Sequence, residues 1–488
     1  MVAKEERVYN FESKIINKIK KYISAGKYDN ALALITSLSY LEYDYNQKYV
    51  NEILEMYILQ IADKILINSP SIERDKNIIL FYDAFGLNSR GLAQIYVKAL
   101  STKYKVLYIT RENNLNNIPD IIDIVNANNG YVYGLKQISR KKRIIELFTF
   151  IEKYRPSNLF MYTQPDDTVS TVVFSKYQGI ATRFQVNLTD HAYWLGNKVL
   201  DYCIEFRDYG GCVSKYYRMI DEKKIIKLPY YPIINYEQEF EGYPFDAANV
   251  EFVFSGGTLY KTISEDNKYY QIVEYILEKY PKVVFWYAGS GNGYDYKLID
   301  LEKKYPERVY WTRERKDLYQ ILKRCVFYLN TYPMVGGLMM QYAAMAGKVP
   351  VTLKYDACSE GILFDQNNLK IEFSDDAEVK KEIDRLFESL VYREKKGRQL
   401  QKAVISPVEF EYQLIKIVEE HKTDYSILYE QVDVKKFIEN DYVRFNERKL
   451  GRYIAVKDNL CLFKCMPFTY MEGIIYRIIN RIKKKRVK

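Results

Sequence analysis

The sequence predicts an α/β protein in which two parallel-sheet domains face a cleft, with a helical extension before them and a basic amphipathic helix after them. Three observations carry that expectation. From Lys76 onward, short apolar runs such as NIILFY (77–82) and KVLYI (105–109) alternate with stretches of helical periodicity. Runs that are apolar throughout, rather than at every second residue, belong to strands covered by helices on both faces of a parallel sheet. The alternation breaks once, at LPYYPIINY (228–236) with its two prolines, and resumes at Val250, so the series divides into two units.

Taken in order, residues 1–74 read as helices, because apolar side chains recur at three- and four-residue spacing with almost no breakers. Gly26-Lys27-Tyr28-Asp29-Asn30-Ala31 resembles the turn of a tetratricopeptide helix pair. A single copy fits a helical cap packed on the next domain better than a repeat, since repeat arrays need several units. The first sheet domain, 75–236, is expected to hold strands at 77–82, 105–109, 130–133, 159–162 and 182–187, with helices ending at Leu100 and spanning 141–154. The second, 237–395, is expected to hold strands at 251–254, 283–288, 309–311, 327–329 and 350–353. Its helices fall at 267–279, 296–304, 316–324 and 338–345. Residues 376–430 read as helical again, and 396–488 as return helices followed by the tail. In that tail Ile474, Ile475, Ile478, Ile479 and Ile482 fall on one face of a basic helix.

Composition narrows the function. At 488 residues, 48% hydrophobic and 28% charged, the chain has ample material for globular domains. The net charge of +10 is concentrated at the end, where IIYRIINRIKKKRVK carries seven basic residues and no acidic one. The remaining body is only mildly basic, which argues against nucleic acid as a partner. No apolar run is long enough for a transmembrane helix, and MVAKEERVYNFESK lacks the apolar core of a secretory signal, so a cytoplasmic protein is expected. Six cysteines without a CxxC pair, and two histidines, make a zinc site an unsuitable reading.

In open parallel sheets, ligands bind outside the carboxyl ends of the strands. Four loops of the second unit are expected there: Ser255-Gly256-Gly257-Thr258 with Lys261, Gly289-Ser290-Gly291-Asn292-Gly293, Thr312-Arg313-Glu314-Arg315, and the Gly336-Gly337 pair before an Ala- and Met-rich helix. Glycines admit close backbone approach, a helix start favours phosphate, and Lys261 supplies a point charge for a diphosphate. Together they describe a nucleotide-diphosphate pocket. Tyr294 stands where a dinucleotide fingerprint needs its third glycine, and no GxxxxGK[ST] loop occurs.

The order FSGGTLYKT, WYAGSGNG, VYWTRERKDLYQIL and YPMVGGLMMQYAAMAGKVPVTL, preceded by DAFGLNSRGLAQIYVKAL, resembles glycosyltransferases of the GT-B fold, which have two Rossmann-like domains. The likeness extends from about Ile78 to Glu420. It implies donor-diphosphate contacts at Gly256, Gly257 and Lys261, a sheet-core position at Gly289, and a base-binding edge at Thr312. Gly336, Gly337, Leu338 and Met339 would meet the sugar and phosphates, and Glu360 in CSEGILF the donor ribose. Glu360 fits equally a helix-start acid favoured by the dipole. Retaining members carry two glutamates eight positions apart; here Val335 and Ala343 occupy those places. The segment is closer to the O-GlcNAc transferase branch, which inverts, and the branch stays open.

His191, in QVNLTDHAYWLG just past a strand end, is the expected catalytic residue, able to take an acceptor proton or bond the donor sugar. Asp190 would orient it or act itself; a satisfied structural histidine is the alternative. Arg90 could reach donor phosphates or the acceptor from the first loop. Asp166-Asp167 resembles a metal pair only superficially, and the resemblance implies that no metal or other cofactor is required beyond the nucleotide sugar as co-substrate. The expected activity is hexosyl or N-acetylhexosaminyl transfer from a UDP-sugar to a surface glycan, lipid-linked sugar or protein. A non-catalytic nucleotide- or glycan-binding subunit and an epimerase are the alternatives. The tail, 474–488, is expected to hold the protein peripherally on an anionic inner membrane face.

Overall fold

The computed structural model describes residues 2–45, 48–86, 91–111, 115–248, 250–264, 266–291, 296–355 and 359–434, with ten helical residues from Phe463 to Ile482. Three helices come first: α1 (Val2–Ser24), α2 (Tyr28–Tyr45) and α3 (Glu52–Ile65). They cap the first sheet domain. Leu34, Ile35, Leu38, Ile58 and Ile61 share one apolar cluster with Leu147, Ile151, Val172 and Phe174 of its helices.

That domain contains β1 (Asp75–Asp83), α4 (Leu92–Ser101), β2 (Lys105–Thr110), α5 (Pro119–Ala127), β3 (Tyr131–Gly134), α6 (Arg140–Tyr154), β4 (Pro156–Tyr162), α7 (Thr168–Ser175), β5 (Thr182–Val186), β6 (Tyr202–Glu205), α8 (Asp208–Tyr216) and β7 (Ile225–Lys227). The strands lie in the order β3-β2-β1-β4-β5-β6-β7, and every pair is parallel. The apolar runs make them: β1 ends in five buried residues and β2 in five, the two-sided burial a covered sheet imposes. β6 and β7 have no counterpart in the sequence reading. YCIE and IIK are too short to show a period, and Glu205 is a buried acid whose Oε1 accepts from Asn187 and Ser214.

The second domain contains β8 (Phe252–Gly256), α9 (Lys268–Lys279), β9 (Val284–Ala288), α10 (Tyr296–Lys304), β10 (Val309–Thr312), α11 (Leu318–Arg324), β11 (Tyr328–Leu329), α12 (Gly337–Met345), β12 (Pro350–Leu353), α13 (Gln366–Leu369), β13 (Glu372–Phe373), α14 (Asp376–Glu388) and α15 (Leu390–Gln401). Its sheet order is β10-β9-β8-β11-β12-β13. Both sheets therefore run outward from their first strand and reverse between the first and fourth, which opens a crevice at the carboxyl edge there. In the second domain the loops after β8 and β11 flank that crevice.

α16 (Pro407–Glu420) returns to the first domain, packing Phe410, Leu414 and Ile417 with Ile95 and Leu100. The helix expected to run to 430 stops at Glu420, where His421 takes a left-handed cap at φ 57° and stacks on Tyr202. Ser139, Asp167, Asp375, Ser389 and Ser406 cap helices through their side chains, each bonding first-turn N–H groups. Asp167, one of the two adjacent acids, also accepts from the Tyr82 hydroxyl at 2.9 Å.

The linker is clamped rather than loose. Gln341 donates to the Tyr230 carbonyl at 2.6 Å, and the Tyr342 hydroxyl to the Ile233 carbonyl at 2.6 Å. Of the expected tail helix, most lies outside the described residues; Ile474, Ile475, Ile478, Ile479 and Ile482 are helical, the last four 45–53% exposed. Among the described residues no helix is long and apolar enough to cross a membrane.

Candidate functional site

The second domain's glycine loops lie backbone on backbone. A Cβ at Gly289 would fall 1.7 Å from the Gly257 carbonyl oxygen, and one at Gly256 would fall 2.9 Å from that of Ala288. Gly257 itself has φ +135°, which side chains rarely adopt. The turn Leu259–Thr262 follows at once and carries Lys261, half-buried, whose carbonyl accepts the Met334 N–H at 3.4 Å. The loops after β8 and β11 are thereby tied together.

The loop after β11 is shaped by Asn330, fully buried, whose Oδ1 accepts the N–H groups of Thr331 and Gly336, each at 2.9 Å. This brace delivers the chain into α12 at Gly336. No side chain caps that helix, so the N–H groups of Gly337, Leu338 and Met339 begin it without an intrahelical partner. They are at the crevice, where the helix dipole is positive. Leu338 is exposed, while Met339 packs beneath Gly256, its Cε 3.6 Å from the position of a Cβ there.

At the flank, Thr312 ends β10 with its hydroxyl accepting from Trp286 at 2.9 Å. Its neighbour Trp311 is 38% exposed and donates its indole N–H to the Gly289 carbonyl at 3.2 Å. Glu360 follows β12 half-buried and pairs with Lys354 at 2.9 Å.

On the first domain, His191 sits in the loop after β5, partly exposed, its Nδ1 3.3 Å from Asp190 Oδ1. Asp190 is buried, and both its oxygens accept from the Arg207 guanidinium just past β6, one at 2.9 Å. Burial opposes ionisation of Asp190, but Arg207 outweighs it and holds the carboxyl well below the usual carboxylate range. An ionised carboxylate only accepts, so Nδ1 is the donor of this contact, which makes Nε2 the basic nitrogen whenever the ring is neutral. Of the two roles expected for Asp190, the geometry favours orienting.

The helical cap fixes this loop from the other side. Glu55 accepts the N–H groups of Gly196 at 2.8 Å and Asn197 at 3.1 Å, and the Tyr49 hydroxyl donates to the His191 carbonyl at 3.3 Å. Arg218 donates to the carbonyls of Thr189, Asp190 and Ala192. Arg207, Arg218, Glu55 and Asn330 escape sequence reasoning, since each acts on a loop distant in the chain. The short apolar run before Arg207 is the one signal that could have revealed a strand end there.

The two halves meet beside these groups. A Cβ on Gly361, at φ +80°, would lie 2.8 Å from the Asp208 amide nitrogen, next to Arg207. One on Gly337 would lie 3.0 Å from Ile362 Cδ1 and 3.6 Å from the Tyr230 hydroxyl, whose pKa burial pushes up to about 12. The structure thus gathers Gly256, Gly257, Lys261, Gly289, Gly336, Gly337, Leu338 and Met339 at one edge, with Thr312 and Glu360 on its flanks. His191 and Asp190 are at the carboxyl edge of the opposing sheet. Arg90 and the Asn292-Gly293 part of the β9 loop lie outside the described residues. Among those described, no group of three acidic, His or Cys side chains could hold a metal.

No protein-family model and no curated protein matches the sequence. Solved structures do resemble the fold. An O-GlcNAc transferase variant from Thermobaculum terrenum superposes with a TM-score of 0.52 at 12% identity, over 88% of this chain and 83% of its own. A glycosyltransferase from Rickettsia africae ESF-5 gives 0.53 at 11% identity, over 71% and 98%. These likenesses, with the two parallel sheets, identify the fold as GT-B.

Proposed function

We propose that this GT-B chain is a glycosyltransferase, moving a hexose or N-acetylhexosamine from a UDP-linked donor to a hydroxyl of a surface glycan, lipid-linked sugar or protein. One observation carries the reading most directly: the uncapped start of α12 opens at the switch point beside the Gly256-Gly257 turn and Lys261. Three N–H donors, a helix dipole and an ammonium group there suit a diphosphate leaving group. The names of the two similar structures, a sugar transferase in each case, agree with it.

In this reading the acceptor oxygen attacks the anomeric carbon while His191 Nε2 takes its proton. The bond to the diphosphate breaks, and the leaving charge falls on the α12 amides and Lys261. Such electrostatic stabilisation is the largest contribution, worth about 3–4 kcal/mol per well-placed donor. Thr312 and Trp311 border the nucleobase, Glu360 the ribose, and Arg90 the phosphates or the acceptor. Protein donors neutralise the diphosphate, so no metal is required. Charge near the membrane adds about 1 kcal/mol per basic residue, and 474–488 would hold the enzyme on an anionic cytoplasmic membrane face.

The test is release of UDP from a panel of UDP-sugars, with and without glycan acceptors. Acceptor-dependent release supports transfer. Saturable nucleotide binding without release would instead make the chain a binding subunit, a reading favoured by Val335 and Ala343 at the positions of the glutamate pair. Interconversion of donor sugars without acceptor would make it an epimerase.

A further inference from the structure

Lys370 lies two residues before the start of β13, which puts its surroundings at the amino-terminal edge of the second sheet, opposite the glycine loops. There a cavity of about 660 Å³ opens between α13, α14 and α15. Its lining includes Lys370, Arg385, Lys395 and Lys402, against one carboxylate, Asp365. None of these four cations forms an ion pair among the described residues, although Lys354, Lys304 and Lys279 elsewhere on this domain do.

The floor is built rather than incidental. Lys396 is buried and spends its three donors on Glu382 at 2.5 Å, the Lys370 carbonyl at 2.9 Å and the Tyr392 hydroxyl at 3.2 Å. Those contacts neutralise Glu382, fix the Lys370 backbone and hold the Tyr392 ring. Arg385 lies over that ring at 4.0 Å, which pre-orients a guanidinium at the mouth. Asp365 and Lys370, at either end of α13, are both left-handed, with φ 52° and 46°. Backbone strain of this kind persists where surrounding contacts over-determine it. Like charges held around a concavity focus a positive field that only an anion relieves.

We propose that this cavity is a second anion site, taking a small phosphate-bearing molecule independently of the crevice that binds the nucleotide sugar. A concavity of that volume suits a free phosphate-bearing ligand larger than pyrophosphate, which serves here as the probe of its anion chemistry. Calorimetry with inorganic pyrophosphate on the full chain tests it. Arg385→Glu with Lys395→Glu should weaken binding by at least about tenfold, because charge-assisted bonds to the anion are replaced by repulsion. Lys261→Ala weakens only the crevice, so the component of pyrophosphate binding that the Arg385/Lys395 variant removes should persist in it. If charge reversal perturbs folding, as seen by circular dichroism, Arg385→Gln with Lys395→Gln carries the same comparison. Loss in Lys261→Ala alone, equal affinity in all variants, or no pyrophosphate binding would overturn the proposal. Vesicles containing phosphatidylglycerol separate the sources: unchanged vesicle binding by the Arg385/Lys395 variant identifies a free anion, and its loss identifies a lipid headgroup phosphate.

Discussion

Replacing Arg207 with methionine removes the charge that holds the His191 loop while keeping much of the contact with Phe206 and Tyr209, whose rings lie 5.1 and 4.9 Å from the guanidinium carbon. Asp190, with its side chain 1% exposed, would then be a buried carboxylate without its guanidinium partner, keeping the weaker contact with His191 Nδ1 at 3.3 Å, beside the buried Glu205. Breaking one side of a buried pair costs about 3–5 kcal/mol. A domain of this size loses about 2–4 °C per kcal/mol, so melting should fall by about 6–20 °C at neutral pH. Asp190→Asn added to Arg207→Met should recover more than half of that loss, because the uncompensated charge is gone. The pH dependence has a definite sign. Asp190 titrates below its unfolded value, so its stabilisation is complete above about pH 4 and fades as pH falls through the folded value. Wild type should therefore lose stability in acid through this group, and Asp190→Asn should lack that component. Circular dichroism melts from pH 2 to 8 measure both effects. An Arg207→Met protein that melts within about 2 °C of wild type, or a double variant no better than the single, would refute the reasoning.

Other outcomes follow from the same geometry. His191→Ala should lower turnover by about 10²–10⁴-fold with nucleotide affinity retained, as measured by UDP release and calorimetry. Gly289→Ala forces a methyl group into the Gly257 backbone at 1.7 Å, so turnover should fall about 100-fold, whereas Gly256→Ala, at 2.9 Å, should be milder in the same assay. Chelation by EDTA should leave sugar transfer unchanged. Deleting 474–488 should release the protein from anionic liposomes in a flotation assay without altering transfer to a soluble acceptor.

The two sheets are legible in the sequence because their strands are apolar throughout, and the glycine loops are legible because the chain cannot turn there with a side chain. NIILFY and VVFWYA announce β1 and β9; YCIE and IIK do not announce β6 and β7, which owe their place to neighbours already in the sheet. Missing β6 also hid Arg207, since an arginine after a strand end gains meaning only when Asp190, 17 positions earlier, is seen to face it. The cap's role was hidden for a similar reason. Glu55 looks like a surface helix residue until Gly196 and Asn197 are brought over it. Lys370, Arg385, Lys395 and Lys402 are scattered in sequence and become one basic cavity only through the packing of α13, α14 and α15.

The central claim is that the crevice beside α12 binds a nucleotide diphosphate, and thermal unfolding of wild type and Lys261→Ala with UDP, other nucleotides and UDP-sugars tests it most directly. Ligand at about 100 times its dissociation constant adds about 2.7 kcal/mol to stability. Stabilisation by UDP and a UDP-sugar, lost or much reduced in Lys261→Ala, is the predicted result. No response to any nucleotide, or an equal response in the variant, would contradict the claim.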